Sequence, residues 1–273
     1  MTIASTPSSA VATPLMARLD GRLPDSMRPL TIERGVIRNV PGSVMVSFGH
    51  TKVLVTASVE ERVPKHIFTS PNAEEGWITA EYSLLPASTG TRNQRERNKL
   101  SGRTAEIQRL IGRSLRAAVD RKQLGQRTIT IDADVLQADG GTRVASITGG
   151  FVALMDALLW LKAYGGLKTL PPITPIAAVS VGVLNNTVLL DLNYEEDLAA
   201  HVDANVVMTA EGNLIEFQAT AEEGSFTPHQ LTDMHQMAWQ GIQHIVQAQY
   251  AALAVPLLSD DRLMWVPDAP LGA

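Results

Sequence analysis

The chain has 273 residues, 45% of them hydrophobic and 19% charged, with 20 Gly, 15 Pro and no Cys. That length can bury a core of its own, and the apolar fraction excludes wholesale disorder and collagen-like structure. The lack of cysteine excludes disulfide scaffolds, thiolate catalysis, iron–sulfur clusters and thiolate zinc sites, and it fits a reducing, cytoplasmic setting.

Residues 1–17, rich in Ser, Thr, Ala and Pro, read as a flexible N-terminal arm without the charged start and apolar run of a signal peptide. Residues 18–255 read as one compact unit of two related sub-halves, and 256–273 as a tail. No run of 18 uninterrupted apolar residues occurs, so no membrane span is expected.

Three β-branched stretches, 30–37, 43–48 and 53–59, predict strands, with a hairpin turn at Gly49-His50-Thr51-Lys52 between the last two. Residues 77–84 predict a fourth. The period then changes: Ile107, Leu110, Ile111, Leu115, Ala118 and Val119 form one apolar stripe, predicting a helix over 104–122 that Gly125 ends. A strand over 127–136 leads through a Gly-containing loop into a helix over 146–163, apolar on nearly every side and so expected at the centre of the core. Two hairpins follow, 177–184 with 187–192 around Asn185-Asn186, and 202–209 with 214–220 around Glu211-Gly212-Asn213. Thr227, Pro228 and Gln230 form a capping box that opens a last helix reaching about residue 252. This order is neither a strict βαβ alternation nor all-β. The fold class is α+β, with mixed sheets packed on helices.

Net charge is −5, which ordinarily disfavours a nucleic-acid partner, yet the charge is segregated. Between Arg92 and Arg127 lie 11 of the 23 basic residues in 36 positions, against three acids, whereas from Val144 onward there are 3 basic and 14 acidic residues. A basic belt on an acidic chain marks a local polyanion site, since phosphate attraction follows the local field.

Nucleophile elbows, zinc-protease motifs, Walker loops and dinucleotide fingerprints are all missing from the sequence. Three features point elsewhere. The loop Asp139-Gly140-Gly141-Thr142-Arg143 combines turnable amides, a hydroxyl and a guanidinium just before a helix, the parts of a small-anion cradle. Ser101-Gly102-Arg103-Thr104 opens the first long helix with another guanidinium near a helix N-terminus. Asp191-Leu192-Asn193-Tyr194-Glu195-Glu196-Asp197 puts four carboxylates in seven residues of an expected loop, hard oxygen ligands suited to Mg²⁺. Each has a plainer reading: a Gly turn, an exposed first-turn arginine, a solvated acidic turn. Taken together, without a nucleophilic side chain, they suggest that inorganic phosphate itself attacks a phosphodiester. A metal-dependent hydrolytic nuclease and a catalytically silent RNA-binding subunit are the alternatives.

The residues that combine these features resemble the ribonuclease PH family. The matching stretches include Asp20-Gly21-Arg22, Arg28-Pro29, Gly76-Trp77-Ile78-Thr79-Ala80-Glu81-Tyr82, Thr91-Arg92-Asn93 and Ser101-Gly102-Arg103-Thr104 through Gly112-Arg113. Gln137-Ala138-Asp139-Gly140-Gly141-Thr142-Arg143, Asp191-Leu192 with Tyr194 and Glu196-Asp197, and Asn205-Val206-Val207-Met208-Thr209 complete the set, which covers about residues 18–250. The resemblance implies a ribosomal-protein-S5-like β-α-β-α fold and phosphorolytic 3′→5′ trimming of tRNA precursors, with release of nucleoside 5′-diphosphates and a reverse addition reaction. It implies that Arg103, Gly141, Thr142 and Arg143 hold inorganic phosphate, that Asp191 and Asp197 are catalytic and attend a divalent ion such as Mg²⁺, and that Arg92 and Arg95 contact RNA. It also implies a homohexamer built as a trimer of dimers. Ala87 stands where the family usually has a further arginine, and the stretch from Arg95 to Arg103 is two residues shorter than usual.

Overall fold

In the computed structural model the described residues are 18–68, 75–97, 99–164 and 166–254. The expected N-terminal arm and C-terminal tail lie outside them.

Strands β1 (Leu30–Arg34), β2 (Gly42–Phe48), β3 (Thr51–Glu60), β4 (Trp77–Leu84) and β5 (Thr128–Gln137) form one sheet in the order β1-β2-β3-β5-β4. Hairpin connections make β1, β2 and β3 antiparallel, while β4 runs parallel to β5. A parallel pair needs a crossover, which helix α2 (Gly102–Ala117) supplies after a short helix α1 (Lys65–Phe68) earlier in the chain. The second sheet, ordered β7-β6-β8-β9, is antiparallel throughout and uses β6 (Ile176–Leu184), β7 (Thr187–Leu190), β8 (Val202–Thr209) and β9 (Leu214–Ala221). Asn185 and Asn186 take φ of 50° and 61° at the β6–β7 turn, the left-handed pair that a two-residue hairpin requires.

Helix α3 (Thr142–Ala163) packs between the sheets, against β2 and β3 on one side and β6 on the other, which is why it is apolar all round. Its length and composition would suit a membrane span, but 89% of its most apolar window is buried inside the protein. Close approach to the first sheet depends on Gly149, where a Cβ would lie 2.8 Å from Val46. Helix α5 (Pro228–Ala254) covers the second sheet and reaches β1. Its expected capping box is present: the Gln230 amide donates to Thr227 Oγ1 at 3.2 Å, and the Thr227 amide to Gln230 Oε1 at 2.8 Å.

Two differences from expectation bear on function. Helix α3 begins four residues earlier than periodicity suggests, because the glycine turn itself delivers the chain into the first helical turn. The acidic segment is not a loop throughout: Asn193 caps a short helix α4 (Tyr194–Ala199) in a reciprocal box with Glu196.

Candidate active site

Helix α3 starts on a sharp turn. Gly140 and Gly141 have φ of 73° and 68°, the left-handed region that L side chains avoid. Gly141 is the N-cap and has no side chain to accept from the first-turn amides, so those donors and the positive helix end face the cleft beside it. Thr51 steadies the turn from the β2–β3 hairpin, taking the Asp139 amide at 2.9 Å and donating its hydroxyl to the Gly140 carbonyl at 2.6 Å. Thr142 Oγ1 lies 2.8 Å from the Tyr82 hydroxyl. Burial pushes the Tyr82 pKa up, against opposing pulls from Thr142, Arg103 and Arg143.

Helix α2 adds one residue of its first turn, Arg103, to the same space. Ser101 caps α2 by accepting from the Thr104 amide, and Arg103 stands exposed in that first turn, with no ion-pair partner among the described residues. Arg143 is only loosely engaged, 3.3 Å from Gln218 Oε1 and 3.8 Å from Glu106. Two guanidiniums and the first-turn amides therefore line one cleft, and among the described residues the single protein anion within ion-pair distance of either guanidinium is the loosely held Glu106.

The opposite wall belongs to the second sheet and α4. A cleft of about 650 Å³ is lined by Arg103, Gly140, Gly141, Thr142 and Arg143 together with Asp197, Asp203 and Asn205. Ser180, Glu222, Tyr194 and Leu198 also face it. Desolvation is the largest influence on Asp197 and raises its pKa above the ordinary carboxylate value. Asp203 and Glu222 add to the rise, and Arg143 and Arg103 oppose it. Asp203 Oδ1 is buried with no hydrogen-bond partner among the described residues. Two neighbouring carboxylates, one with an orphaned oxygen, suit a hard divalent ion that keeps most of its waters. Among the described residues there is no larger cluster of acids and histidines that could hold a metal.

Of the expected site residues, Arg103, Gly141, Thr142, Arg143 and Asp197 meet in this cleft; Asp191 does not. Its side chain is fully buried behind the glycine turn, where Arg28 Nη2 donates to Oδ1 at 2.6 Å and Arg28 Nε to Oδ2 at 2.9 Å. Repulsion in the acidic segment is relieved by arginines from the start of the domain: Arg28 on Asp191, and Arg18 and Arg22 on Glu196. The strongest acidic neighbour of Asp197 in the cleft is Asp203. Its signal was in the sequence, because Asp203 and Asn205 are polar residues two apart in a strand whose Val202, Ala204 and Val206 are buried.

Arg92 and Arg95 are exposed on the segment after β4 and do not line the cleft, although the neighbouring Thr91 does. Arg95 instead acts on Asp134, opposing the upward pull of burial on that carboxyl. The basic belt also divides. Arg116 stacks on Trp77 with 4.5 Å from its guanidinium carbon to the ring centre, while Arg113, Arg121 and Arg127 pair with Glu216, Glu75 and Glu61.

The match to known proteins is extensive. Two sequence models of the 3′ exoribonuclease family fit the chain, domain 1 over residues 26–159 and domain 2 over residues 174–241, and the chain belongs to this family. Within it the similarity is to ribonuclease PH. The Synechococcus sp. protein of that name is 56% identical over 239 residues, 86% of this chain and 97% of the relative. The Corynebacterium glutamicum protein is 55% identical over 241 residues, 88% and 97% respectively. Among solved structures, an Archaeoglobus fulgidus exosome with RNA bound to the active site shares the fold at TM-score 0.73 and 21% identity, over 85% of this chain and 92% of that one. Rice Rrp46 does so at TM-score 0.69 and 19% identity, over 86% and 100%. By class the chain is a phosphate-dependent 3′→5′ exoribonuclease, a nucleotidyltransferase.

Proposed function

We propose that inorganic phosphate is the attacking group, held by Arg103, Thr142, Arg143 and the amides around Gly141, and that the substrate is the single-stranded 3′ end of a tRNA precursor. The observation that carries this reading is one cleft lined both by a cradle of Arg103, Thr142, Arg143 and the glycine turn and by the Asp197–Asp203 pair. A phosphate oxygen forms a bond to the phosphorus of the terminal linkage, and the bond from that phosphorus to the 3′-oxygen of the preceding nucleotide breaks. The terminal residue leaves as a nucleoside 5′-diphosphate. The shortened RNA keeps the 3′-oxygen, which takes up a proton.

The two guanidiniums serve first to gather two anions whose repulsion otherwise keeps them apart, and then to spread the charge that builds on the equatorial oxygens. Asp197 stands on the wall facing the two guanidiniums, on the side where the departing oxygen would lie. Asp197 and Asp203 are the residues that would hold a divalent ion such as Mg²⁺, which supplies charge neutralisation at the leaving oxygen when bound. Tyr194 and Leu198 give the same wall exposed apolar surface beside which a terminal base can rest. Because the step breaks one phosphodiester and forms one phosphoric anhydride, bonds of similar energy, the reverse addition of a nucleotide from its diphosphate, with release of phosphate, runs in the same site.

Arg92 and Arg95 belong to this reading as contacts for RNA upstream of the cleft, and a cytoplasmic homohexamer, a trimer of dimers, would gather six such segments near shared channels. The test is the product formed with and without phosphate. Nucleoside diphosphates with phosphate, and no trimming without it, are expected. Monophosphates released in phosphate-free buffer with Mg²⁺ would make the enzyme a hydrolase, and no product under either condition would leave an RNA-binding subunit.

A further inference from the structure

Arg28 occupies a position that neither the anion cradle nor the carboxylate wall explains alone. Its side chain is buried, and its donors divide between two loops far apart in sequence. Its backbone amide, Nε and Nη2 all go to the Asp191 carboxylate, at 2.8, 2.9 and 2.6 Å. Its Nη1 donates to the carbonyl of Asp139, the residue before the two glycines of the cradle. The guanidinium also lies directly beneath Gly141, where a Cβ would come within 3.1 Å of Nη2. Asp191 in turn has φ of 55°, a strained conformation for a side-chain-bearing residue, and its own amide donates to the Ser180 carbonyl at 2.7 Å. From Asp191 the chain runs directly into α4, which carries Asp197.

We infer that Arg28 is a positioning residue that locks the phosphate loop to the end of β7, from which the chain enters α4 and its carboxylate Asp197, with Asp191 as its buried counter-ion. A carbonyl that accepts from Arg28 faces away from the cleft, and this keeps the neighbouring amides turned towards the phosphate. Thr51 holds the same loop from the first sheet, and Arg28 is the cation that ties it to the second. Asp191 thus acts through Arg28 and touches neither phosphate nor RNA.

This inference rests on the phosphorolytic reading, and its test separates the two because the phosphate requirement is measured first on the unaltered enzyme. Arg28→Lys keeps the charge but cannot reach Asp191 in a forked pair and Asp139 at once. It is expected to raise the phosphate KM by about tenfold or more while leaving the RNA KM within about twofold. Asp191→Asn should move the phosphate KM in the same direction with the Mg²⁺ half-saturation unchanged. The double variant Arg28→Met with Asp191→Leu leaves no buried charge unpaired, so it is expected to fold even if a single variant does not, and to show the same raised phosphate KM. Inorganic phosphate should also lose its protective thermal shift in that variant. A phosphate KM within about twofold of the unaltered enzyme in Arg28→Lys or in the double variant overturns the inference. So does an Asp191→Asn enzyme that needs more Mg²⁺ while its phosphate KM stays fixed, since Asp191 would then serve the cation.

Discussion

Replacing Arg103 with Ala tests the anion cradle most directly. Arg103 has no ion-pair partner among the described residues, so its removal leaves no protein carboxylate unpaired, and the loss falls on whatever anion the cleft receives. A hydrogen bond to a charged group contributes about 1.5–3 kcal/mol, and each 1.4 kcal/mol is about tenfold in an equilibrium. Arg103 is exposed before substrate arrives, so water screens it and the lower half of that range applies. The phosphate KM should rise by about 10- to 50-fold. Arg103→Lys should recover part of that loss, because an ammonium keeps the charge but gives up the fork. Initial rates over a phosphate titration at saturating RNA give the first number. Equilibrium binding of a 3′-labelled RNA without phosphate gives the control, which should change by less than about threefold. An Arg103→Ala enzyme that binds RNA poorly yet keeps its phosphate KM would refute the assignment and move Arg103 to the RNA path.

Two more outcomes follow from particular contacts. At Gly140 a Cβ would sit 2.6 Å from the Leu192 carbonyl oxygen and 2.7 Å from the Asn193 carbonyl carbon, both backbone, whereas at Gly141 the nearest atom is the Arg28 Nη2 at 3.1 Å. The left-handed φ costs an alanine about 1–2 kcal/mol at either position, so Gly140→Ala should lower the melting temperature and kcat/KM for phosphate more than Gly141→Ala does; the opposite order would contradict the packing of the turn against α4. Asp132 faces Glu81 directly across the parallel β4–β5 pair, and desolvation together with Glu81 and Asp134 pushes its pKa from 3.8 up to about 6. The folded state therefore holds a proton that the unfolded chain releases, and stability drains away as pH rises from about 4 to about 6. Asp132→Asn should be neutral below that window and stabilising above it by about 1–2 kcal/mol for this half-buried group; a difference in urea-unfolding free energy that does not vary with pH would disprove the coupling.

Much of the fold was legible because local patterns and tertiary packing agreed. The central helix was recognisable from apolar residues on every side, and the β6–β7 hairpin from Asn185-Asn186, whose backbone demands few other residues meet. The start of α3 was less so, since periodicity begins with the apolar residues and says nothing of the polar first turn that the glycines deliver. The acidic segment was the hardest to read. Four carboxylates in seven residues gave a correct signal of unbalanced charge, but the cations that balance two of them come from Arg18, Arg22 and Arg28, more than 160 residues away in sequence.

Composition and motifs already set out the available chemistry: guanidiniums and turnable amides for one anion, carboxylates for a cation or a proton, and no nucleophile motif. Those properties belong to residue types and short-range spacing, so they survive without coordinates. Which carboxylates reach the open cleft is visible only in the folded chain. Six positions separate Asp191 from Asp197 and six separate Asp197 from Asp203, and nothing local distinguishes the two intervals. Its own left-handed backbone, just past β7, accompanies the inward turn of Asp191 to a buried arginine, while α4 and the outward alternation of β8 bring Asp197 and Asp203 to the open cleft.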